Sequence, residues 1–356
     1  MRIWLRIAAA AAALVLAAGG AGAQEKLKVG FIYVGPHNDG GWSQRHDVAR
    51  QEIEKALGDK VETTYVENVS EGPDAERVIE QLARAGNKLI FTTSFGFMNP
   101  TLKVAQRFKD VKFEHATGFK QAANVATYNA RFYEGRYILG QIAAKMSKTG
   151  VAGYIGSFPI PEVVMGINAY ALGARSINPD FKIKVVWANT WHDPGKEADA
   201  AKVLLDQGAD IIAQHTDSPA PLQIAAERGA YGFGQASDMI EFAPKNQLTA
   251  IIDNWGPYYI ERVKAVLDGT WKSHDVWYGI PEGMVQMAPY TNMPDDVKKM
   301  AEETEEKIRT GQLHPFAGPI KKQDGSVAAE AGKTIPDSEL LGMNYYVEGV
   351  EGDLPK

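Results

Sequence analysis

The sequence has 356 residues, a formal net charge of −6 and no cysteine. A mildly acidic chain is a poor candidate for nucleic-acid binding, and a chain without cysteine forms neither disulfides nor a thiolate nucleophile. The length exceeds what one ordinary hydrophobic core holds, and it predicts two domains of about 150 residues each.

The N-terminal residues predict a secretory signal. Arg2 and Arg6 precede an apolar run over 7–18, and the small residues 21–23 form an A-x-A cleavage site. The apolar run is shorter than the ~20 residues that span a bilayer. We therefore expect a signal peptide over 1–23 and a periplasmic protein that is not lipidated, since no cysteine is present to carry a lipid. The remaining 333 residues have 36 basic and 44 acidic side chains, a balance of −8.

Apolar strand-like runs alternate with amphipathic helical patterns after the signal. The predicted strands of the first half are 27–34, 61–66, 88–93, 111–116 and 125–129, and its predicted helices are 43–57, 75–85 and one that begins at 99–100. Asn99 is a suitable N-cap for that last helix, and Pro100 suits the first helical position. This alternation predicts an α/β fold, with a parallel sheet covered by helices on both faces.

The same alternation then restarts and predicts a second, similar half. Its predicted helices are 131–146, a segment ending at 178–179, 196–207 and 220–228, and its predicted strands are 151–157, 182–187, 211–215, 231–236 and 248–253. Further helices are predicted over 256–267 and 295–309, with Gly311 as a stop signal. The tail from Lys321 onward is predicted to form hairpin-like segments on the surface.

The segment Gly35–Trp42 follows the first predicted strand and precedes a helix. In an open parallel sheet such a loop lies at the carboxyl edge, where ligands bind. It offers one carboxylate, Asp39, and one indole, Trp42. We interpret this loop as one wall of a cleft for a small molecule.

Motifs for catalysis, metals and cofactors are absent from the sequence. The segment 331–334 resembles the end of a phosphate-binding loop, but Val327 stands where that motif needs glycine. The seven histidines have no metal-ligand spacing, no G-x-S-x-G elbow occurs, and Asp39 alone cannot hold a divalent ion. We therefore predict no catalytic residue, no metal, no cofactor and no enzyme.

Several segments together carry a resemblance to one protein family. They are 28–32 running into 39–43, 128–140, 153–157 with 173–175 and 178–179, 206–212, and 341–350. The chain resembles the basic membrane protein family of periplasmic substrate-binding proteins, a group similar to the purine-nucleoside receptors of ABC importers. The resemblance covers nearly all the chain after the signal, and its most specific part is Glu134-Gly135 with the residues around it.

The resemblance implies a type I periplasmic binding protein fold. That fold has two Rossmann-like lobes, a ligand cleft between them and three hinge crossings, here near Asn129, Asp253 and Gly279. The N-terminal lobe would comprise 25–129 plus 254–280, and the C-terminal lobe 130–253 plus 281–356. The function implied is that of a monomeric receptor, which closes on a purine base or nucleoside and delivers it to an ABC permease at the inner membrane.

Eight residues are predicted to bind the ligand, partly from their places after strands and partly from the resemblance. They are Asp39, Trp42, Phe95, Phe97, Trp191, His215, Asp238 and Asp253. The resemblance makes Trp42 a stacking platform for the base, and makes Asp39 and Asp238 hydrogen-bond acceptors from the two lobes.

Each of these residues also has a purely structural interpretation. Asp39 could form a turn, Trp42 could pack in the core, and Asp238 could cap a helix. Asp253 could be a hinge residue, and His215 a structural histidine. Phe95 and Phe97 point the same way only if their segment is extended, because a turn at Gly96 would separate them. Glu162 is expected at the surface or at a contact between the lobes.

Two departures from the family pattern bear on the ligand. Ser43 stands where relatives commonly have asparagine, and Asp253 where they have lysine. An added carboxylate favours a ligand rich in N–H donors, so adenine or adenosine is the first expected ligand. Three alternatives remain: a nucleoside-processing enzyme on the same fold, a receptor for another small polar solute such as a sugar, and a ligand-sensing core of the kind found in sugar-responsive repressors.

Overall fold

The computed structural model describes residues 25–355, so the predicted signal peptide lies outside the described residues. The strands are β1 Leu27–Tyr33, β2 Val61–Val66, β3 Leu89–Thr93, β4 Lys112–Ala116, β5 Val125–Ala130, β6 Val151–Gly156, β7 Lys182–Trp187, β8 Ile211–Gln214, β9 Tyr231–Gly234, β10 Gln247–Asp253, β11 Asp275–Tyr278, β12 Val285–Met287, β13 Ile320–Lys321, β14 Val327–Ala329 and β15 Val350–Glu351. The helices are α1 Trp42–Leu57, α2 Pro73–Arg84, α3 Met98–Arg107, α4 Phe132–Met146, α5 Pro161–Ile177, α6 Pro194–Asp206, α7 Ala220–Glu227, α8 Gly256–Leu267, α9 Asp295–Arg309 and α10 Asp337–Leu340.

Two sheets organise the chain. The first has six strands in the order β11-β5-β4-β3-β1-β2, all parallel. The second has seven strands in the order β12-β10-β9-β8-β6-β7-β15, parallel except for β12 at one edge. We call the parts of the chain built on these sheets the first lobe and the second lobe. The tail adds the predicted hairpin, β13 with β14.

The chain passes between the sheets three times. It leaves the first sheet after β5, returns to it between β10 and β11, and leaves it again between β11 and β12. This confirms the predicted α/β architecture of two lobes joined by three crossings. The exact limits of the lobes, which the sequence puts at 129, 253 and 280, stay a prediction.

Burial explains why these segments form these elements. The strand β3 is buried along its whole length, as expected for a central strand covered on both faces. In the second lobe, α4 and α5 cross closely at Gly140 and Gly173, and a Cβ on either glycine would clash with backbone of the facing helix. Residues of both helices belong to the large hydrophobic core.

None of the helices within 25–355 has both the length and the apolar character that crossing a membrane requires.

The structure differs from the predicted elements at two places. The strands β11 and β12 were not predicted, since each is short and pairs with a strand far away in sequence: β11 with β5, and β12 with β10. The predicted N-cap at Asn99 is wrong. A turn of 3₁₀ helix over Phe95–Phe97 leads directly into α3, which begins at Met98 without a side-chain cap.

Candidate functional site

A cavity lies between the lobes, at the carboxyl ends of strands from both sheets. Its free volume is about 20 Å³, which is about what one water molecule needs, so the two lobes lie close together around it. The first lobe lines it with Val34, Trp42, Ser94, Phe95 and Thr117, and the second lobe with Glu162, Trp191, His215, Asp217 and Gln235. Five of these ten residues directly follow a strand, as the geometry of parallel sheets favours for a ligand site. We call this space the enclosed cavity.

Trp42 forms a fixed aromatic wall of the enclosed cavity. Its indole Nε1 donates a hydrogen bond of 2.7 Å to the carbonyl oxygen of Thr93. The ring also makes edge contacts with His46 and Trp255, at centroid distances of 4.5 and 5.5 Å. Because α1 begins at Trp42 and these contacts hold the ring, one indole face can be presented to a flat ligand without loss of side-chain freedom on binding.

The 3₁₀ turn at Gly96 separates the two phenylalanines that flank it. Phe95 is partly exposed and lines the enclosed cavity. Phe97 is fully buried in the hydrophobic cluster beneath α2 and α3. The predicted ligand role of Phe97 has no support from this placement and stays a prediction.

Asp39 caps the start of α1. Its Oδ1 accepts hydrogen bonds from the backbone N–H groups of Gly41 and Gln44, at 2.8 and 3.0 Å, and its Oδ2 accepts one from Ser43, at 2.8 Å. Burial raises the pKa of Asp39, and the three backbone donors oppose that rise. The carboxylate shapes the loop that carries Trp42, and its own contact with ligand stays a prediction.

Glu162 and His215 form a polar pair on the second-lobe wall. His215 Nε2 lies 3.6 Å from Glu162 Oε1, and burial lowers the pKa of the imidazole. His215 Nδ1 and Glu162 Oε2 are buried and have no hydrogen-bond partner within 25–355. Of the two expected positions of Glu162, the exposed surface is wrong and a place between the lobes agrees with the structure, since its side chain is mostly buried against the cavity.

Asp253 and Arg136 are both buried, and neither lines the enclosed cavity, so the predicted ligand role of Asp253 stays a prediction. Asp253 is fully buried, and neither carboxylate oxygen has a partner among the described residues. Burial raises the pKa of Asp253 well above its ordinary value, against the attraction of Arg45 and Arg136. Arg136 is also buried; it donates from Nη2 to Gln235 Oε1, while its Nε and Nη1 are unpaired in the described part of the chain.

Asp217 lies where the two lobes touch. A Cβ on Gly41 of the first lobe would lie 2.7 Å from the carbonyl oxygen of Asp217, and the hydroxyl of Ser237 donates to the carbonyl oxygen of Gly40. The Oδ2 of Asp217 is buried and unpaired within the described chain. Burial raises the pKa of Asp217 well above its ordinary value, and the nearby Asp39 adds to the rise. These contacts close the cleft around the cavity.

The remaining two predicted residues have different positions. Trp191 lines the enclosed cavity, and its ring packs against Phe158 with centroids 5.1 Å apart. Asp238 is exposed, and its Oδ1 accepts hydrogen bonds from the backbone N–H of Ile240 and from Gln247 Nε2, at 3.1 and 2.6 Å. Asp238 does not line the cavity, so its ligand role has no support from this geometry and stays a prediction.

The structure also brings in residues that the sequence reasoning did not select. They are Val34, Ser94, Thr117, Glu162, Asp217 and Gln235 on the walls, and Arg136 behind Gln235. Selecting the residue that directly follows each strand, with the strand limits of the structure, would have found Thr117 after β4 and Gln235 after β9. No local signal marks Arg136, because it reaches the site from the interior of a helix.

The chemistry of the site is that of recognition. Two carboxylates of the wall, an indole N–H and an imidazole nitrogen have buried, unpaired polar atoms within the described chain, and leaving such groups without a partner costs about 1–3 kcal/mol each. A ligand that supplies hydrogen-bond partners recovers that cost.

Residues 25–355 contain no group of three or more His, Cys, Asp or Glu side chains that could hold a metal ion.

Comparisons with known proteins agree with this geometry. The family model described as ABC transporter substrate-binding protein PnrA-like matches residues 26–314. A purine-binding protein of Brucella abortus is 68% identical over 338 residues, which is 95% of this chain and 97% of the relative. A protein of Haloferax volcanii, named as an ABC transporter glucose-binding protein, is 37% identical over 338 residues, 95% of this chain and 83% of the relative.

A solved structure has the same fold. The ABC transporter solute-binding protein from Aeropyrum pernix superposes with a TM-score of 0.71 at 21% identity, over 83% of this chain and 93% of that one. At that identity the likeness concerns the fold alone, and it agrees with two lobes around a cleft.

Proposed function

Because the chain belongs to the PnrA-like family of ABC transporter substrate-binding proteins, we propose that it is a periplasmic receptor for a purine base or nucleoside, with adenine or adenosine as the first expected ligand. The observation that carries the proposal is the set of buried, unpaired polar atoms on the walls of an aromatic cavity, all within the described residues. The receptor binds its ligand there and presents it to an ABC permease.

Membership of the family itself confirms the resemblance predicted from the sequence. Proteins of this family are extracytoplasmic binding proteins, which take a small-molecule ligand to a membrane permease and are not enzymes. The choice of a purine, the periplasm as the location and a monomeric state are our proposals beyond that family assignment. The absence of cysteine supports a receptor without a lipid anchor.

The purine proposal is supported by the aromatic lining and the charge of the cavity. A flat ring that enters between the lobes would stack on the indole of Trp42 and the ring of Phe95, and stacking contributes about 1–3 kcal/mol per base. Glu162 and Asp217 then offer carboxylate oxygens to ligand N–H groups, and His215 can accept or donate. An excess of acids disfavours anionic ligands and favours amino-purines. The name of the 68% identical relative from Brucella abortus supports the same ligand class.

A sugar is the second candidate ligand. The relative from Haloferax volcanii is named for glucose binding, and carboxylates beside aromatic faces also accept hydrogen bonds from sugar hydroxyls. The purine is favoured because three aromatic side chains, Trp42, Phe95 and Trp191, line so small a cavity, and because the relative named for purine binding has the higher identity.

The proposed mechanism is hinge closure. The contacts of Gly41 with Asp217 and of Ser237 with Gly40 join the lobes directly, so they exist only in the closed form. A ligand held by residues from both lobes adds contacts to that form alone, and it therefore shifts the population toward closure. The permease would then receive the closed, loaded receptor.

A thermal-shift screen tests the proposal. The protein without residues 1–23 is heated with adenine, adenosine, other bases and nucleosides, glucose and amino acids. We expect purines to raise the melting temperature, since a ligand at 100 times its Kd adds about 2.7 kcal/mol of stability. A response to glucose alone would contradict the purine assignment, and release of adenine from adenosine by the pure protein would contradict the receptor assignment.

A further inference from the structure

Glu197 is a buried acid of the second lobe to which the proposed binding mechanism assigns no role. It lies in the first turn of α6, its side chain is fully buried, and it does not line the enclosed cavity. A buried carboxylate is costly unless hydrogen bonds compensate for the lost water. The hydrogen-bond partners of Glu197 therefore indicate what this acid does in the fold.

The two carboxylate oxygens of Glu197 bond to two different loops. We call residues 188–193, which follow β7, the β7 loop, and residues 215–219, which follow β8, the β8 loop. Oε1 accepts a hydrogen bond of 2.8 Å from the backbone N–H of Asp193 in the β7 loop. Oε2 accepts hydrogen bonds of 3.0 and 2.7 Å from the backbone N–H and the hydroxyl of Ser218 in the β8 loop. One carboxylate therefore fastens the two loops to each other.

Further hydrogen bonds join the two loops into one unit. The backbone N–H of Asp217 in the β8 loop donates a bond of 3.0 Å to the carbonyl oxygen of Trp191 in the β7 loop. The side-chain Nε2 of Gln214 donates to the carbonyl oxygens of Thr216 and Ser218, at 2.9 and 2.8 Å, and so fixes the turn of the β8 loop. The carboxylate adds a side-chain link to this backbone link between the loops.

The two loops carry much of the second-lobe wall and part of its contact with the first lobe. Trp191, His215 and Asp217 are three of the five second-lobe residues that line the enclosed cavity. A Cβ on Gly40 of the first lobe would lie 3.1 Å from the Cδ of Pro219 in the β8 loop. The relative position of the two loops therefore decides where a ligand and the first lobe meet the second lobe.

Capping of α6 does not account for the contacts of Glu197. Asp193 caps that helix, since its Oδ1 accepts a hydrogen bond of 3.1 Å from the backbone N–H of Lys196. The two hydrogen bonds from Ser218 come from another loop and add nothing to the start of the helix. The contacts of Glu197 thus exceed what a helix terminus requires.

We propose that Glu197 is a positioning residue, which holds the β7 loop and the β8 loop in the arrangement that binds the ligand and meets the first lobe. The inference rests on the proposed function, because it takes the enclosed cavity as the ligand site. Glu197 acts through the loops and does not touch the ligand. Loss of its carboxylate keeps every side chain of the wall but frees the loops that carry them, so ordering those loops on binding costs affinity.

Hydrogen exchange of the ligand-free protein tests the link between the loops. Glu197→Gln places an amide donor against donors that the carboxylate now accepts, whereas Ser218→Ala removes one donor of the β8 loop alone. Glu227→Gln, at the exposed end of the neighbouring helix α7, is the control. In Glu197→Gln we expect the backbone amides of both loops to exchange at least about fivefold faster, as the loss of one hydrogen bond implies. Ser218→Ala should accelerate exchange in the β8 loop only, and Glu227→Gln in neither loop.

Two results of the exchange experiment would overturn the link. The first is unchanged exchange in the β7 loop of Glu197→Gln. The second is an equal rise through the strands of the second sheet, which indicates a general loss of structure. Should Glu197→Gln fail to fold, Ser218→Ala decides, since faster exchange confined to the β8 loop supports the link and unchanged exchange refutes it.

Calorimetric titration with adenine tests the consequence for binding. A loss of stability alone leaves the Kd unchanged, because the Kd is measured on folded molecules. We expect the Kd to rise by about tenfold in Glu197→Gln, by a smaller factor in Ser218→Ala and not at all in Glu227→Gln; wild-type affinity in Glu197→Gln would refute the positioning role. If wild type binds glucose and no purine, the purine assignment fails, and titration of the same variants with glucose decides the role of Glu197. The exchange experiment needs no ligand and is decided independently of the purine assignment.

Discussion

Asp253 carries a buried carboxylate whose two oxygens have no partner within the described chain. Its raised pKa means that the folded protein holds this proton more tightly than the unfolded chain does. The stability of the ligand-free protein therefore falls as pH rises above the ordinary carboxyl range. Such a group weakens the free protein, and the predicted contact with a ligand donor would offset that cost.

Asp253→Asn should separate the effect of this carboxylate on stability from its effect on ligand binding. The neutral amide is less costly to bury, so the ligand-free variant should be more stable than wild type by about 1–3 kcal/mol at neutral pH. Purine affinity should fall, because the amide is a weaker acceptor. Melting curves and calorimetric titration measure both quantities. Asp110→Asn, at an exposed position far in sequence from Asp253, is the matched control and should change neither; an unstable Asp253→Asn variant with full affinity would contradict this role.

Glu134 makes the stability of the folded protein depend on pH. Its Oε2 accepts a hydrogen bond of 2.7 Å from the backbone N–H of Ile280, next to the third crossing. Burial raises the pKa of Glu134 from 4.5 to about 7, with Glu282 adding to the rise and Ile280 and Arg131 opposing it. Between those two values the folded protein binds more protons than the unfolded chain, so the free energy of unfolding falls as pH rises.

Glu134→Gln should remove this pH dependence. Relative to wild type, the variant should gain stability between pH 4.5 and pH 7, by at most about 3 kcal/mol, since one pKa unit corresponds to 1.36 kcal/mol. Chemical denaturation at a series of pH values measures the difference. Glu62→Gln, at an exposed position on β2, serves as the control with no such trend. Parallel pH profiles for wild type and Glu134→Gln would show that Glu134 does not carry the effect.

At the residue scale, a position near the end of a strand brought some of the selected side chains to the cavity and not others, since Asp238 and Asp253 do not line it. Trp42, Phe95, Trp191 and His215 line the cavity as expected of residues beside strand ends. Phe95 lines the cavity and Phe97 is buried in the core, because the 3₁₀ turn at Gly96 points their side chains in different directions. Such a turn depends on packing that the sequence does not display. Arg136 could not be selected at all, because its contact with Gln235 joins residues about 100 positions apart.

At the scale of elements, the loop before α1 permits the lobes to close. Gly41 lies against the backbone of Asp217 in the second lobe, where a Cβ would be 2.7 Å from its carbonyl oxygen. Any side chain at position 41 therefore separates the lobes or displaces the loop. The loop after β8 and the start of α1 can approach each other only because this position is glycine.

Gly41→Ala should weaken ligand binding without unfolding the protein. Overpacking costs about 1–3 kcal/mol, and that cost falls on the closed form, so the Kd should rise by roughly 5- to 150-fold. The melting temperature of the ligand-free protein should change little if it is open. Gly342→Ala provides the control, since its nearest neighbouring atoms would be 3.9 Å away. Wild-type affinity in Gly41→Ala would refute the role of this contact in closure.

Long elements with clear periodicity were predictable, and short paired strands were not. The helices α8 and α9 and the strands β2 and β7 have the predicted limits. The strands β11 and β12 have four and three residues, too few for a periodic pattern, and only their pairing with distant strands stabilises them. The third crossing runs between these two strands, so its placement in the sequence rests on the resemblance and not on periodicity.

At the scale of the whole molecule, the protein is a clamp whose closed cleft leaves buried polar groups of the described residues without partners. Each lobe supplies one aromatic wall and polar groups from strand ends, and neither wall alone surrounds a ligand. Four of the buried, unpaired atoms within 25–355 belong to residues that line this space, Glu162, Trp191, His215 and Asp217, and a ligand there would offer them partners. The acids outnumber the bases there, and that balance favours a neutral ligand with N–H donors.

Calorimetric titration of the wild-type protein with adenine tests directly whether this protein is a purine receptor. We predict a single site per chain and a Kd in the micromolar range or tighter, corresponding to a binding free energy of about −8 kcal/mol or better. We also predict a negative heat-capacity change on binding, because aromatic surface is buried. Saturable heat with glucose, and none with adenine or any other purine, would contradict it.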